Sequence, residues 1–247
     1  MTRLKAVITG IVLSFWCCFA MEMTYEMKGG LNFSKFYGSD SENDETLLPG
    51  ICVGANAGFP VNGFFSFEPE ILLSFKGVHY PDAHDVVYYY GRGFTYPVDI
   101  ENSRTRLIYI DIPLNSRITV FKQSPAKIYM LLGPYASFLA SARQKATAIK
   151  TIQGGSGTAQ VENVRSNELM KTNAYTDKIL INQDERKEYS SFDFGITLGA
   201  GLLYDIGKGS IVIEVRQSLG FLSVDNDKKD DLKNMVINVS AGYHKNF

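Results

Sequence analysis

Cysteine and histidine are scarce in this chain, at three each in 247 residues, and each scarcity removes a class of function. Cys17 and Cys18 fall in the apolar run Ala6–Ala20, behind Arg3 and Lys5. That run is too short to cross a bilayer as a helix, and Ala20 supplies a small residue before a cut. It reads as a signal peptide over residues 1–20, followed by a single domain over 21–247. Cleavage would leave Cys52 alone, so a disulfide framework is excluded. His79, His84 and His244 have neither the spacing of a zinc protease helix nor a nearby serine and acid, so no catalytic residue and no metal ligand set is expected. Long apolar runs are missing as well. No stretch of the remaining chain holds 18 consecutive apolar residues, which excludes helical membrane spans. Charge is almost balanced, with 25 basic and 26 acidic side chains, so the basic footprint of a nucleic-acid binder is absent.

What the chain has instead is alternation. Between Phe64 and Gly77, Phe65, Phe67, Ile71, Leu73 and Phe75 share one parity, while Ser66, Glu68, Glu70, Ser74 and Lys76 share the other. Between Arg106 and Val120, Ile108, Ile110, Ile112, Leu114, Ile118 and Val120 oppose Tyr109, Asp111, Asn115, Arg117 and Thr119. Side chains along a strand point alternately to its two faces, so this is the pattern of strands between unlike environments. Similar stretches near 24–36, 50–60, 127–143, 191–206, 210–224 and 234–247 bring the expected number to eight. Val61-Asn62-Gly63 and Gly207-Lys208-Gly209 supply tight turns, and Phe121–Ala126 a third short connection. The alternate connections, Tyr37–Pro49, Val78–Thr105, Gln144–Ser190 and Asp225–Lys233, are long. Short turns on one rim and long loops on the other are the layout of an outer-membrane barrel. The expected fold is therefore all-β, an eight-stranded antiparallel up-and-down transmembrane barrel.

A soluble lipocalin-like barrel alternates equally well but keeps its apolar face inside. Strand length, rim asymmetry and the charge on the polar parity favour the apolar face pointing outward to lipid. The lumen would then hold Glu26, Lys28, Glu68, Glu70, Lys76, Asp111, Arg117, Asp193, Glu214 and Arg216. Buried charges are costly unless paired, so these ten are expected to form an ion-pair network that plugs the barrel. Tyr25, Phe33, Phe59, Phe65, Tyr204, Phe221 and Tyr243 suit the two lipid–water boundaries. Tyr243 and the terminal Phe247 make a candidate assembly signal on the last strand, read by barrel-assembly machinery.

Several segments together resemble the PorT-like outer-membrane β-barrel family of Bacteroidetes and related bacteria. They are Lys28–Ser34 (KGGLNFS), Pro49–Gly54 (PGICVG), Phe67–Gly77 (FEPEILLSFKG), Tyr109–Leu114 (YIDIPL), Gly133–Tyr135 (GPY), Asp193–Gly195 (DFG) with Gly199–Gly201 (GAG), and Ala241–Tyr243 (AGY). The resemblance implies an exported outer-membrane barrel, some relatives of which assist secretion of other proteins. It brings no catalytic motif and no cofactor. Lys245 departs from it, and the loops Val78–Thr105 and Gln144–Ser190 lie outside it.

The remaining candidates are in loops. Tyr88, Tyr89, Tyr90, Arg92, Phe94 and Tyr96 have the composition of a binding surface, or of a sheet extended past the membrane. Asp40, Glu42, Asp44 and Glu45, and then Asp225, Asp227, Asp230 and Asp231, gather oxygen ligands but lack a calcium-loop pattern and read as solvated charge. Gly154, Gly155 and Gly157 do not form a phosphate loop, since no Lys-Ser/Thr follows. The expected role is non-enzymatic: an envelope structural or interaction protein, or a transport or secretion accessory, with outer-membrane lipids and an unidentified envelope protein as partners. The alternatives are a small passive pore and, behind it, a lipid-modifying enzyme.

Overall fold

The computed structural model describes residues 23–39, 46–81, 85–91, 94–120, 124–150, 178–184, 189–226 and 231–246. The expected signal-peptide segment, Asp40–Glu45, His84, Arg92, Gly154, Gly155, Gly157, Asp227, Asp230 and Phe247 lie outside them. The described residues form ten strands: β1 (Thr24–Tyr37), β2 (Thr46–Pro60), β3 (Phe65–Tyr80), β4 (Asp85–Gly91), β5 (Phe94–Val120), β6 (Ala126–Lys150), β7 (Lys178–Asp184), β8 (Phe192–Asp205), β9 (Ser210–Gly220) and β10 (Lys233–Asn246). Eight of them, β1, β2, β3, β5, β6, β8, β9 and β10, pair antiparallel in a ring that the β5–β6 and β1–β10 ladders close. Closure removes the sheet edges that a bilayer would leave without hydrogen-bond partners. No helix of the described residues is long and apolar enough to cross a membrane.

The other two strands correct the expected loops. Val78–Thr105 is not a loop: β3 runs on to Tyr80, β5 begins at Phe94, and β4 pairs with the first part of β5. Within Gln144–Ser190, β6 continues to Lys150 and β7 pairs back onto it. The four strands stand beyond the barrel as a sheet in the order β4-β5-β6-β7. The stretch expected as a strand to Val224 ends at Gly220 instead, and Val224 turns inward to be buried inside the barrel.

The opposite rim is built from short turns. Asn62 Oδ1 accepts from the backbone N–H groups of Phe64 and Phe65 at 3.0 and 2.9 Å, fixing the β2–β3 turn. Ile206 donates to the Gly209 carbonyl at 2.8 Å, across a Gly207 whose φ of +91° needs a residue without Cβ. Between the rims the alternation translates directly into faces. Ile71, Ile110, Leu198 and Ile213 are exposed on the outside and their strand neighbours are buried within, while Val239 is exposed and Phe65 partly so. Such a predominantly apolar exterior fits a hydrocarbon surround and not water.

Candidate functional site

The lumen is filled by side chains, as a barrel of eight strands requires. All ten residues expected there point inward and are buried. Seven meet in a central cluster nearer the short-turn rim. Lys28 Nζ lies 2.7 Å from Glu70, 3.1 Å from Glu214 and 3.6 Å from Glu26. Arg117 reaches Glu26 and Glu68, each at 2.9 Å, and Arg216 reaches Glu70 at 2.8 Å and Glu214 at 2.6 Å. Three cations thus bridge four carboxylates, and the seven residues come from β1, β3, β5 and β9 on different sides of the barrel. His244 Nδ1 lies 3.5 Å from Glu26, so this histidine belongs to the lumen and not to the lipid-facing surface.

The remaining three stand one layer further toward the long hairpins. Lys76 donates to Asp111 at 2.8 Å, Ser137 donates to the same Oδ1 at 2.5 Å, and the ammonium sits near the rings of Tyr109 and Tyr135. Among the described residues no cation is in contact with Asp193. Its Oδ2 accepts from Asn234 at 3.0 Å and from Tyr135 at 3.2 Å. Cys52 is buried between the two layers, accepting from Asn238 Nδ2 at 2.9 Å.

Sequence reasoning missed three parts of this interior. Tyr129 donates to Glu214 at 2.8 Å and lies under the Arg117 guanidinium, 4.1 Å from its ring centre. It has room because its cross-strand partner is Gly201; Tyr135 likewise faces Gly195, and Leu131 faces Gly199. A Cβ on Gly201 would overlap the end of the Tyr129 ring. The signal was present in the parity: Tyr129 and Tyr135 fall on the inward face of β6, opposite glycines of β8. The second missed part is apolar. Tyr129 and Leu131 pack with Leu203 and Val212 near the short-turn rim, although the expected lumen was polar throughout. The third is a cap at the other mouth, where Phe36, Val78, Leu107, Tyr109, Leu139 and Ala142 enclose Val224. Val224 is held there by backbone bonds from Ser190 to its carbonyl and from its own N–H to Leu232, both 2.7 Å.

The free space follows these layers. A cavity of about 390 Å³ opens at the short-turn mouth and ends on Glu68 and Arg117. Above the central cluster the lumen holds a void of about 20 Å³, near Asn32, Lys76 and Asp111, room for a single water. Of the other candidates, the strand register sets Tyr89 opposite Tyr96 and Gly91 opposite Phe94 on the β4–β5 hairpin, so the tyrosine-rich segment is sheet extended past the barrel. Tyr243 is exposed on the outer face of β10. Among the described residues no three His, Cys, Asp or Glu side chains converge as a metal site.

An apolar exterior, a charged interior and a closed antiparallel ring define a membrane-spanning β-barrel. A family model, the outer membrane protein beta-barrel domain, matches residues 20–226, and the chain belongs to that family. Its place is accordingly the bacterial outer membrane. Among solved structures the chain is similar to the outer membrane protein OprG of Pseudomonas aeruginosa, at 9% identity over 92% of this chain and 96% of that one, TM-score 0.46. It is also similar to Neisserial surface protein A, at 15% identity over 90% and 97%, TM-score 0.40. A third is Ail, the attachment invasion locus protein of Yersinia pestis, at 13% identity over 91% and 99%, TM-score 0.38. No curated protein matches.

Proposed function

We propose that this protein is a non-enzymatic outer-membrane barrel with a plugged lumen, acting as an envelope structural or interaction protein or as an accessory in transport or secretion. Its outward-projecting hairpins would make the contacts. The observation that carries the reading is the central cluster, in which Lys28, Arg117 and Arg216 span the lumen between carboxylates of facing strands. An ion passing that layer must part several buried, charge-assisted contacts at once, each stronger than its neutral counterpart. The resemblance to PorT-like barrels agrees with an accessory role. The inward position of His244 beside Glu26 speaks against lipid-modifying chemistry on the outer surface.

The mouth cavity favours a second reading, a small passive pore, because it opens the lumen as far as Glu68 and Arg117. Purified protein in planar bilayers separates the two. A plugged barrel gives no regular conductance steps, whereas reproducible unitary steps from the parent protein would replace the first reading by the second.

A further inference from the structure

The exterior carries one arrangement that neither strand pairing nor a hydrocarbon surround explains. On β5 the outward parity reads Leu114, Ile112, Ile110 and Ile108 toward the long-hairpin rim, and then changes to Arg106 and Arg104. On β6 the same face passes Met130, Leu132 and Phe138 and then reaches Arg143 and Lys145. The register sets Arg106 opposite Arg143 and Arg104 opposite Lys145. Four cations therefore stand as two facing like-charge pairs, all exposed, directly above the last apolar residues of both strands. Like charges directly opposite on neighbouring strands destabilise the ladder. Among the described side chains none of the four is held in an ion pair or hydrogen bond. The register of β7 sets Asp184 opposite Arg143, at one edge of the patch.

We infer that Arg104, Arg106, Arg143 and Lys145 form a binding site for the phosphate groups of an outer-leaflet glycolipid. The position decides the source of the phosphate. Neighbouring residues of one parity are about 7 Å apart along a strand and facing ones about 5 Å apart across it, so the four cations cover a patch the size of one phosphorylated sugar. That patch begins where the apolar belt ends, at the depth of a headgroup whose acyl chains would lie against Ile108, Ile110 and Phe138. Guanidinium forks match phosphate oxygens bidentately, which suits a headgroup phosphate better than lysines alone would. The site goes beyond the plugged-barrel reading and depends only on the barrel standing in the outer membrane.

The test uses the full-length barrel folded into phosphatidylcholine vesicles containing a bis-phosphorylated lipid A-type glycolipid, the same glycolipid dephosphorylated, or neither with inorganic phosphate added. Bound glycolipid is counted by native mass spectrometry after extraction. The parent should retain the phosphorylated form at least tenfold better than the dephosphorylated one, and millimolar free phosphate should not displace it. The R104Q/R106Q/R143Q/K145Q variant should lose that preference, yet fold at least as well as the parent in glycolipid-free vesicles, because its facing repulsions are gone. Equal retention of both glycolipids by the parent, a comparison that needs no variant, would overturn the inference. So would displacement by free phosphate, which would make this a free-anion site, or undiminished preference in the variant.

Discussion

Arg117 offers the sharpest test of how the interior is held. It is 2% exposed, contacts Glu26 and Glu68 at 2.9 Å each, and lies over the Tyr129 ring. Arg117→Met keeps much of the volume and removes the charge. Glu26 would still have Lys28 at 3.6 Å. Glu68 would be left with neutral donors only, Ser66 at 2.8 Å and Asn56 at 3.4 Å. Removing one partner of a buried ion pair costs about 3–5 kcal/mol, chiefly because the other charge stays buried without compensation. The cation–π contact is part of that loss, worth up to about 2 kcal/mol when desolvated. A shift of roughly a hundredfold or more in the folding equilibrium follows. The assay is urea titration of folding into lipid vesicles, read by the mobility difference between folded and heat-unfolded barrel on cold gels. This readout suits a chain whose one tryptophan, Trp16, lies in the expected leader. Arg117→Met/Glu68→Gln should recover at least half of the loss, since the stranded charge is then gone. A single variant within about 1 kcal/mol of the parent would refute the reasoning, as would a double variant no better than the single one.

Three further outcomes follow from the same geometry. Ile110→Lys on the outer face should cost about 2–4 kcal/mol if it lies near the bilayer midplane, against about 0–1 kcal/mol for Tyr204→Lys at the rim; equal effects in vesicle folding would count against the assignment of faces. Gly201→Ala drives a methyl group into the Tyr129 ring and should destabilise by about 1–3 kcal/mol, with Tyr129→Phe/Gly201→Ala relieving little, because the ring and not only the hydroxyl is in the way. Val224→Asp places a charge among Phe36, Leu107 and Leu139 and should release the segment 221–226 to added protease while the barrel itself stays folded; unchanged protection of that segment would show that the cap is held by other contacts.

The barrel was legible wherever the two faces of a strand meet different media. Phe65, Ile110 and Leu198 differ so strongly from Glu68, Asp111 and Thr197 because one set lies against hydrocarbon and the other lines a polar lumen. Beyond the membrane that contrast fades. Both sides of Val78–Thr105 leave the bilayer, so Tyr88, Tyr89 and Tyr90 show no alternation, and a paired hairpin reads as a loop. The apolar cap was hidden for a related reason: Val78, Leu107 and Leu139 lie on the inward parity, but their partner Val224 comes from a connection with no period at all. Individual charges could be placed inside from parity alone. Which carboxylate each cation reaches depends on the stagger of eight ladders, and parity carries no information about stagger.

That stagger suggests why the interior is charged when an apolar filling would be no less stable. Replacing a buried ion pair by well-packed apolar groups is often neutral or favourable, so stability is a weak account of the central cluster. Specificity is a stronger one. A barrel apolar on both faces would lose little if one strand slipped by a single residue, since the exchange of faces would meet similar surroundings. Here a slip of β1 would turn Glu26 and Lys28 toward lipid and bring Tyr25 and Met27 into the lumen, and a slip of β9 would do the same to Glu214 and Arg216. A lysine or arginine on the lipid face alone costs about 2–4 kcal/mol near the midplane, and the carboxylates left inside lose their partners as well. The cations that close the lumen therefore also fix each strand to one register while the barrel assembles. The penalty falls on β1, β3, β5 and β9, the strands that carry the cluster, and is weakest on β2, whose inward face holds Cys52, Asn56 and glycines.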